Sequence, residues 1–223
     1  MENIQKNRDF ILKKIKDVHK NSFFCKSEIP NLIAVSKKQE DFKINAALLC
    51  GQKCFGENRV QEAIQRWESK LKHYSDIELR LIGPLQTNKV KQALKLFNVI
   101  ETLDREKLAK EITNNINDET KTQSFYIQIN TGDEEQKAGI SALEADDFIS
   151  YCKNDLALPI SGLMCIPPAI EEPAMHFSLL KKIAYKNNLQ KLSIGMSNDF
   201  EEAIKFGATS VRIGSMFFGE RQN

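Results

Sequence analysis

Two lysines stand side by side where an apolar run stops. In "NLIAVSKKQEDF" (residues 31 to 42), Leu32, Ile33, Ala34 and Val35 read as a buried strand that ends on Ser36, Lys37 and Lys38. A lysine held at the mouth of an apolar cavity loses hydration, which disfavours its charged form. Its neutral amine can then attack a carbonyl carbon, the requirement for a Schiff base to a sugar, a keto acid or an aldehyde cofactor. The plainer alternative is a lysine that ends a strand and extends its amine into solvent. Alternation along the strand sends Lys37 and Lys38 to opposite sides, and both sides are expected to be apolar, so periodicity does not select one of them.

A second cluster lies near the C-terminus. "LSIGMSNDFEEAI" (192 to 204) runs from a strand through Gly195 towards a helix whose start carries Ser197, Asn198 and Glu201, the spacing of a capping box. Free N–H groups at a helix start attract anions. "SVRIGSMFFG" (210 to 219) ends its strand on Gly214 and Ser215, a close backbone approach followed by a hydroxyl. Arg212 sits inside that strand, where a charge needs either an acidic partner or a ligand. In "FGENRVQEA" (55 to 63), Asn58 stands where a helix is expected to begin, as an N-cap or a ligand contact. Gln86, Asn88 and Lys89 in "LIGPLQTNK" and Lys137 in "INTGDEEQKAG" occupy polar loops.

These residues need elements to hold them, and the chain supplies a repeating set. Eight short apolar, β-branched runs occur at 32–36, 53–56, 79–83, 98–102, 125–130, 159–165, 191–195 and 210–214. Helical patterns separate them at 40–51, 58–73, 86–96, 104–116, 141–153, 170–187 and 198–206, and an amphipathic helix opens the chain. In the segment 104–116, Asp104 is placed to cap a helix whose Leu108 and Ile112 share a face with Leu103. Strand followed by helix, repeated eight times, predicts parallel strands. Right-handed crossovers then close most naturally into a single (β/α)₈ barrel spanning 1–223, with an open doubly wound sheet as the competitor. Barrel chemistry gathers at the C-terminal ends of strands, and a phosphate often sits between the loops after strands seven and eight. Those loops are the Ser197 and Ser215 segments, and strand eight would neighbour the lysine strand.

Composition removes several alternatives. Lys and Arg (32) nearly balance Asp and Glu (30), so the charge of +2 provides no general field for nucleic acid. No eighteen-residue apolar stretch argues for a membrane span, and the N-terminus lacks the pattern of a secretory signal, so a cytoplasmic protein is expected. The five cysteines are odd in number and scattered, and read as reduced structural thiols rather than a zinc site. His19, His73 and His176 read as surface residues of polar helical segments. Neither a dinucleotide-binding fingerprint nor a P-loop is found.

Taken in order, "AVSK", "FGENRVQE", "IGPLQTNK", "IN" followed by "KAG", "GLMCIPP" and "IGMSNDFEEAI…GATSVRIGSMFFGER" resemble the pyridoxal phosphate homeostasis protein family, from about residue 30 to 221. The resemblance implies the barrel of the alanine racemase N-terminal domain and a site for pyridoxal 5′-phosphate. It implies that Lys37 forms the Schiff base, that Ser197, Gly214 and Ser215 hold the phosphate, that Arg212 faces the pyridine nitrogen and that Asn58 lies beside the cofactor. Three positions depart from the family's usual pattern: Leu79-Arg80 replaces Trp-His, and Ser215 replaces a threonine. The function implied is storage, buffering or delivery of the cofactor to apoenzymes by a monomer with little turnover. A racemase-like enzyme acting on amino acids is the alternative, and an aldolase-type barrel is a third.

Overall fold

The computed structural model describes residues 2–134 and 136–220. Glu135 of the polar loop and Arg221, the last residue of the matched "GER", lie outside them. The chain opens with helix α1 (Glu2–Lys20) and then alternates: β1 (Asn31–Val35), α2 (Asp41–Leu49), β2 (Cys54–Glu57), α3 (Val60–Trp67), β3 (Glu78–Leu81), α4 (Val90–Leu96), β4 (Val99–Leu103), α5 (Glu106–Asn115) and β5 (Ser124–Asn130). The second half adds a two-residue strand β6 (Ile140–Ser141), then α6 (Ala145–Ser150), β7 (Ile160–Met164), α7 (Pro173–Lys186), β8 (Lys191–Ser193), α8 (Phe200–Lys205), β9 (Ser210–Ile213) and α9 (Ser215–Phe218).

The strands run in the order β4-β3-β2-β1-β9-β8-β7-β5, and β4 pairs with β5 to close the ring. All of these pairings are parallel. The eight-stranded barrel expected from the alternation is present. The small β6 was not expected; it adds to the end of β5, Ile129 opposite Ile140.

Two layers of side chains result. Even-numbered residues of β1 face the helices: Leu32 and Ala34 join a large apolar cluster with Ile44, Phe55, Trp67 and Phe97. Phe55 and Trp67 meet with ring centroids 4.7 Å apart, tying β2 to α3. Burying each such side chain contributes on the order of 1.5–3 kcal/mol, so the strand-to-helix interface carries most of the fold's hydrophobic stabilisation. Helix α1 packs on α2, α8 and α9, burying Ile4, Ile11 and Ile15; an ion pair from Lys14 to Glu201 at 2.5 Å adds to it. The opposite set of residues faces the barrel axis. Val35, Gly56, Arg80 and Val99 follow one another round the ring as direct partners, and Ile33 is opposite Arg212. This interior holds Ile33 and Val35 and a small apolar group, Val99, Tyr126 and Met164, beside buried Arg80, Glu101, Ser193 and Arg212. The expectation that both sides are apolar holds on β1, with Leu32 and Ala34 outward and Ile33 and Val35 inward, while β3, β4, β8 and β9 add charged and polar groups to the interior.

Several helix starts differ from expectation. Arg105, not Asp104, takes the N-cap position of α5, and the Asp104 carboxylate is paired with Arg105. Asn58 lies in a bend, with Arg59 at the N-cap of α3. The capping box of Ser197, Asn198 and Glu201 does not form: α8 begins at Phe200 with Asp199 as its N-cap. Asp199 accepts a hydrogen bond from Met196 N–H at 2.6 Å, and Glu201 is turned towards Lys14. At Asp104 and Glu201 an ion pair competes for the side chain expected to cap. His19 and His176 are buried rather than on the surface; His19 meets Ser27 O, and His176 meets Thr131. Helix α7 starts at Pro173, a residue suited to the first helical position.

Candidate functional site

The first strand delivers Lys37 by a contact made one residue earlier. Ser36 Oγ donates to Glu57 Oε1 at 2.6 Å, and Ser36 N–H donates to Gly56 O at 3.0 Å. Glu57 is fully buried and also accepts from both Arg66 and Trp67 of α3, each at 2.9 Å. Ser36 therefore faces the helical layer, and Lys37 follows it as the first residue of the turn that leaves β1. Lys37 is half-buried and Lys38 is exposed. Lys38 also adopts a left-handed backbone, φ 56°, inside a turn closed by Gln39 N–H to Ser36 O at 3.1 Å.

The neighbouring strand brings the serines together. β9 lies beside β1 in register Ala34 to Ile213, so Gly214 and Ser215 leave the barrel next to Val35 and the segment carrying Lys37. Ser215 Oγ donates to Ser197 Oγ at 3.3 Å, joining the loops after β8 and β9. Ser215 is the first residue of α9, whose opening N–H groups have no carbonyl partner within the helix. A Cβ placed on Gly214 would meet Val35 Cβ at 3.6 Å, an ordinary contact. The protein's own packing does not demand glycine there; the missing side chain leaves room. Gly195 is different: its φ is +90°, and a Cβ would come within 2.6 Å of Ala203 Cβ, so the turn towards α8 requires glycine.

Arg212 points into the barrel with 4% of its surface exposed. Nη1 donates to Ser193 O at 2.5 Å and to Ser193 Oγ at 2.8 Å, and Nη2 donates to Cys165 O at 2.9 Å. Its acceptors are neutral, and the nearest carboxylate along this chain of bonds, Glu101, lies beyond the Ser193 hydroxyl. Burial pushes the Cys165 thiol up to about 12, so it stays protonated beside the guanidinium. Asn58, at the end of the adjacent β2, presents a buried Oδ1 with no hydrogen-bond partner. Such an acceptor calls for a donor from outside the chain. Gly83 fits against it closely, since a Cβ there would fall 2.4 Å from Asn58 O.

The four elements β1, β2, β8 and β9 thus place Lys37, Asn58, Ser197, Arg212, Gly214 and Ser215 at one end of the barrel or just inside it. Lys89 is half-buried and Gln86 and Asn88 are exposed. Lys137 is engaged with Glu134 and with Pro167 O, a structural use. Among the described residues no group of three His, Cys, Asp or Glu side chains could hold a metal, and no helix is long and apolar enough to cross a membrane. The five cysteines are free. Sequence reasoning missed Glu57, Glu101, Ser193 and α9. Glu101 carried a usable signal, a charge inside the apolar run "NVIET", the same kind that singled out Arg212.

A parallel eight-stranded barrel with a lysine ending its first strand and paired hydroxyls after its last two defines the racemase-like barrels, and residues 24–222 match the family model described as alanine racemase, N-terminal domain. The chain belongs to that family and, within it, to the pyridoxal phosphate homeostasis proteins. It is 39% identical to the pyridoxal phosphate homeostasis protein of Aquifex aeolicus, over 86% of this chain and 87% of that one. Among solved structures it resembles PipY of Synechococcus elongatus with pyridoxal phosphate bound, at 29% identity and a TM-score of 0.77, covering 92% of this chain and all of that one. Alanine racemase from Corynebacterium glutamicum shares the fold, with a TM-score of 0.68 at 17% identity; the match covers 99% of this chain and 62% of the racemase.

Proposed function

We propose that this chain binds pyridoxal 5′-phosphate covalently through Lys37 and serves cofactor homeostasis, storing, buffering or delivering it to apoenzymes. In this reading it works as a cytoplasmic monomer with one barrel domain over residues 1–223. The observation that carries the proposal is the position of Lys37 next to the paired hydroxyls. Lys37 leaves the end of β1, pinned by the Ser36 to Glu57 bond, beside the strand that leads to Ser215 and its hydroxyl partner Ser197.

The donor set fits the group. Two hydroxyls and a helix start suit a phosphate, the space at Gly214 would be filled by a Cβ, and the unsatisfied Asn58 Oδ1 suits a hydroxyl donor. Arg212 can donate to a ring nitrogen but cannot receive a proton from it. When bound, the cofactor supplies an aldehyde that condenses reversibly with a primary amine and releases water. The protein's part is to present Lys37 from a fixed strand end, to anchor the anionic end with Ser197 and Ser215, and to hold a cation rather than an acid near the ring. Release to an apoenzyme then needs only a competing amine. The names of the relatives and the cofactor-bound structure of PipY support this reading.

The test is a spectrum followed by trapping. Pyridoxal phosphate added to the protein produces a visible band; borohydride reduction and peptide mass spectrometry locate the label on Lys37. Lys37→Ala loses the band and Lys38→Ala keeps it. Label on Lys38, or a band that survives Lys37→Ala, refutes the assignment.

A further inference from the structure

A line of charged and polar groups crosses the barrel interior behind Arg212. Glu101, on β4, is completely buried, and a carboxylate out of water persists only when its oxygens are occupied. Both are. Oε1 accepts from Arg80 Nη1 at 2.9 Å, and Oε2 accepts from Ser193 Oγ at 2.6 Å. Arg80 is held from its other side by Glu78 of its own strand. Burial opposes the charge on Arg80, and acidic neighbours offset this. Of those neighbours Cys54 stays a thiol, since burial raises its own pKa strongly, leaving Glu101 and Glu78 as the counter-charges.

The direction of each bond is determined. A guanidinium cannot accept a hydrogen bond, and an ionised carboxylate cannot donate one. The single hydrogen of Ser193 Oγ therefore goes to Glu101, and its lone pairs face Arg212 Nη1. With Ser193 O and Cys165 O, this fixes the guanidinium by three bonds, leaving two of its five N–H donors for a further acceptor. Arg80 and Arg212 share the Glu101 carboxylate, one directly and one through a hydroxyl.

We propose that Glu101, acting through the Ser193 hydroxyl, is the positioning residue that holds Arg212 in place for the bound cofactor. The consequence for the cofactor rests on the reading that Arg212 faces its ring, whereas the placement of Arg212 is a property of the protein alone. A glutamine at 101 would keep the shape and reverse the chemistry. Its carbonyl would face Arg80, its amide would donate to Ser193, and the serine hydrogen would turn against Arg212.

The experiment separates the two levels. In the apoprotein, nuclear magnetic resonance follows proton exchange of the Arg212 side chain, assigned by its loss in Arg212→Lys. Exchange should be slow, and Glu101→Gln and Ser193→Ala should each accelerate it roughly ten-fold or more, the scale of one lost charge-assisted hydrogen bond. The double variant should be no faster than the faster single one, because both substitutions break the same link. Unchanged exchange in either single variant, or independent additive effects, overturns the proposal. If Glu101→Gln does not fold, Glu101→Asp, which keeps the charge but shortens the reach to Ser193 Oγ, decides in its place and should also accelerate exchange. In the loaded protein, Glu101→Gln should weaken pyridoxal phosphate binding about ten-fold, and Glu101→Asp should recover part of the loss. A wild-type protein without a Lys37-linked band would refute the cofactor reading, while the apoprotein exchange rates would still decide the role of Glu101.

Discussion

Glu57 and Ser36, 21 residues apart, share a hydrogen bond of 2.6 Å that pins the end of β1 immediately before Lys37. Glu57 also neutralises Arg66 and accepts from Trp67, so one buried carboxylate ties β1, β2 and α3 together. Replacing it with alanine leaves Arg66 without this partner and Ser36 Oγ without its shorter acceptor. Glu57→Ala should cost about 3–5 kcal/mol of stability, as for a broken buried ion pair. Urea denaturation measures this, and the surviving folded protein should label Lys37 less selectively over Lys38.

The two serines should matter for the phosphate and not for the aldehyde. Ser197→Ala with Ser215→Ala removes two hydroxyl donors, each worth roughly 1.5 kcal/mol towards a charged acceptor. Affinity for pyridoxal phosphate should therefore fall by about 100-fold, while affinity for pyridoxal, which lacks the phosphate, should stay within about two-fold of wild type. Equal losses for both ligands would show that the serines only shape the loops.

Arg212 predicts weak chemistry at an amino acid's α-carbon. A ring nitrogen facing a group that cannot give up or take a proton remains a poor electron sink. Amino acids incubated with the loaded protein in deuterium oxide should exchange their α-proton no faster than with free pyridoxal phosphate. Sustained exchange above that background would favour the racemase-like alternative.

Thiol reactivity should follow burial. Burial raises the thiols of Cys152 and Cys165 to about 12 and that of Cys54 further, so at pH 8 only about one part in ten thousand of the first two is thiolate. Cys25 is exposed and Cys50 is half-buried, its pKa raised chiefly by desolvation. A disulfide reagent at pH 8 should modify Cys25 rapidly, Cys50 more slowly and the other three only on unfolding. Mass spectrometry of the partly labelled protein reads the order.

The amino-acid sequence by itself determined the number of barrel strands, their parallel direction and the ends at which chemistry collects. Alternating apolar runs and amphipathic segments report only whether a residue meets an apolar environment, and that was sufficient for the barrel. It also placed Lys37, Ser197, Arg212, Gly214 and Ser215 at strand ends or inside a strand, and the family resemblance chose between the two lysines. Tertiary structure decided the rest because hydrogen-bond partners are selected by closure. Ser193 and Glu101 lie 92 residues apart and meet only when the ring shuts. Helix packing draws Glu201 of α8 to Lys14 of α1 rather than to a helix cap, while Asp104 pairs with its chain neighbour Arg105. Closure sets Arg80, Glu101 and Arg212 among the apolar side chains of the barrel interior, and it turns Ser36 outwards to Glu57.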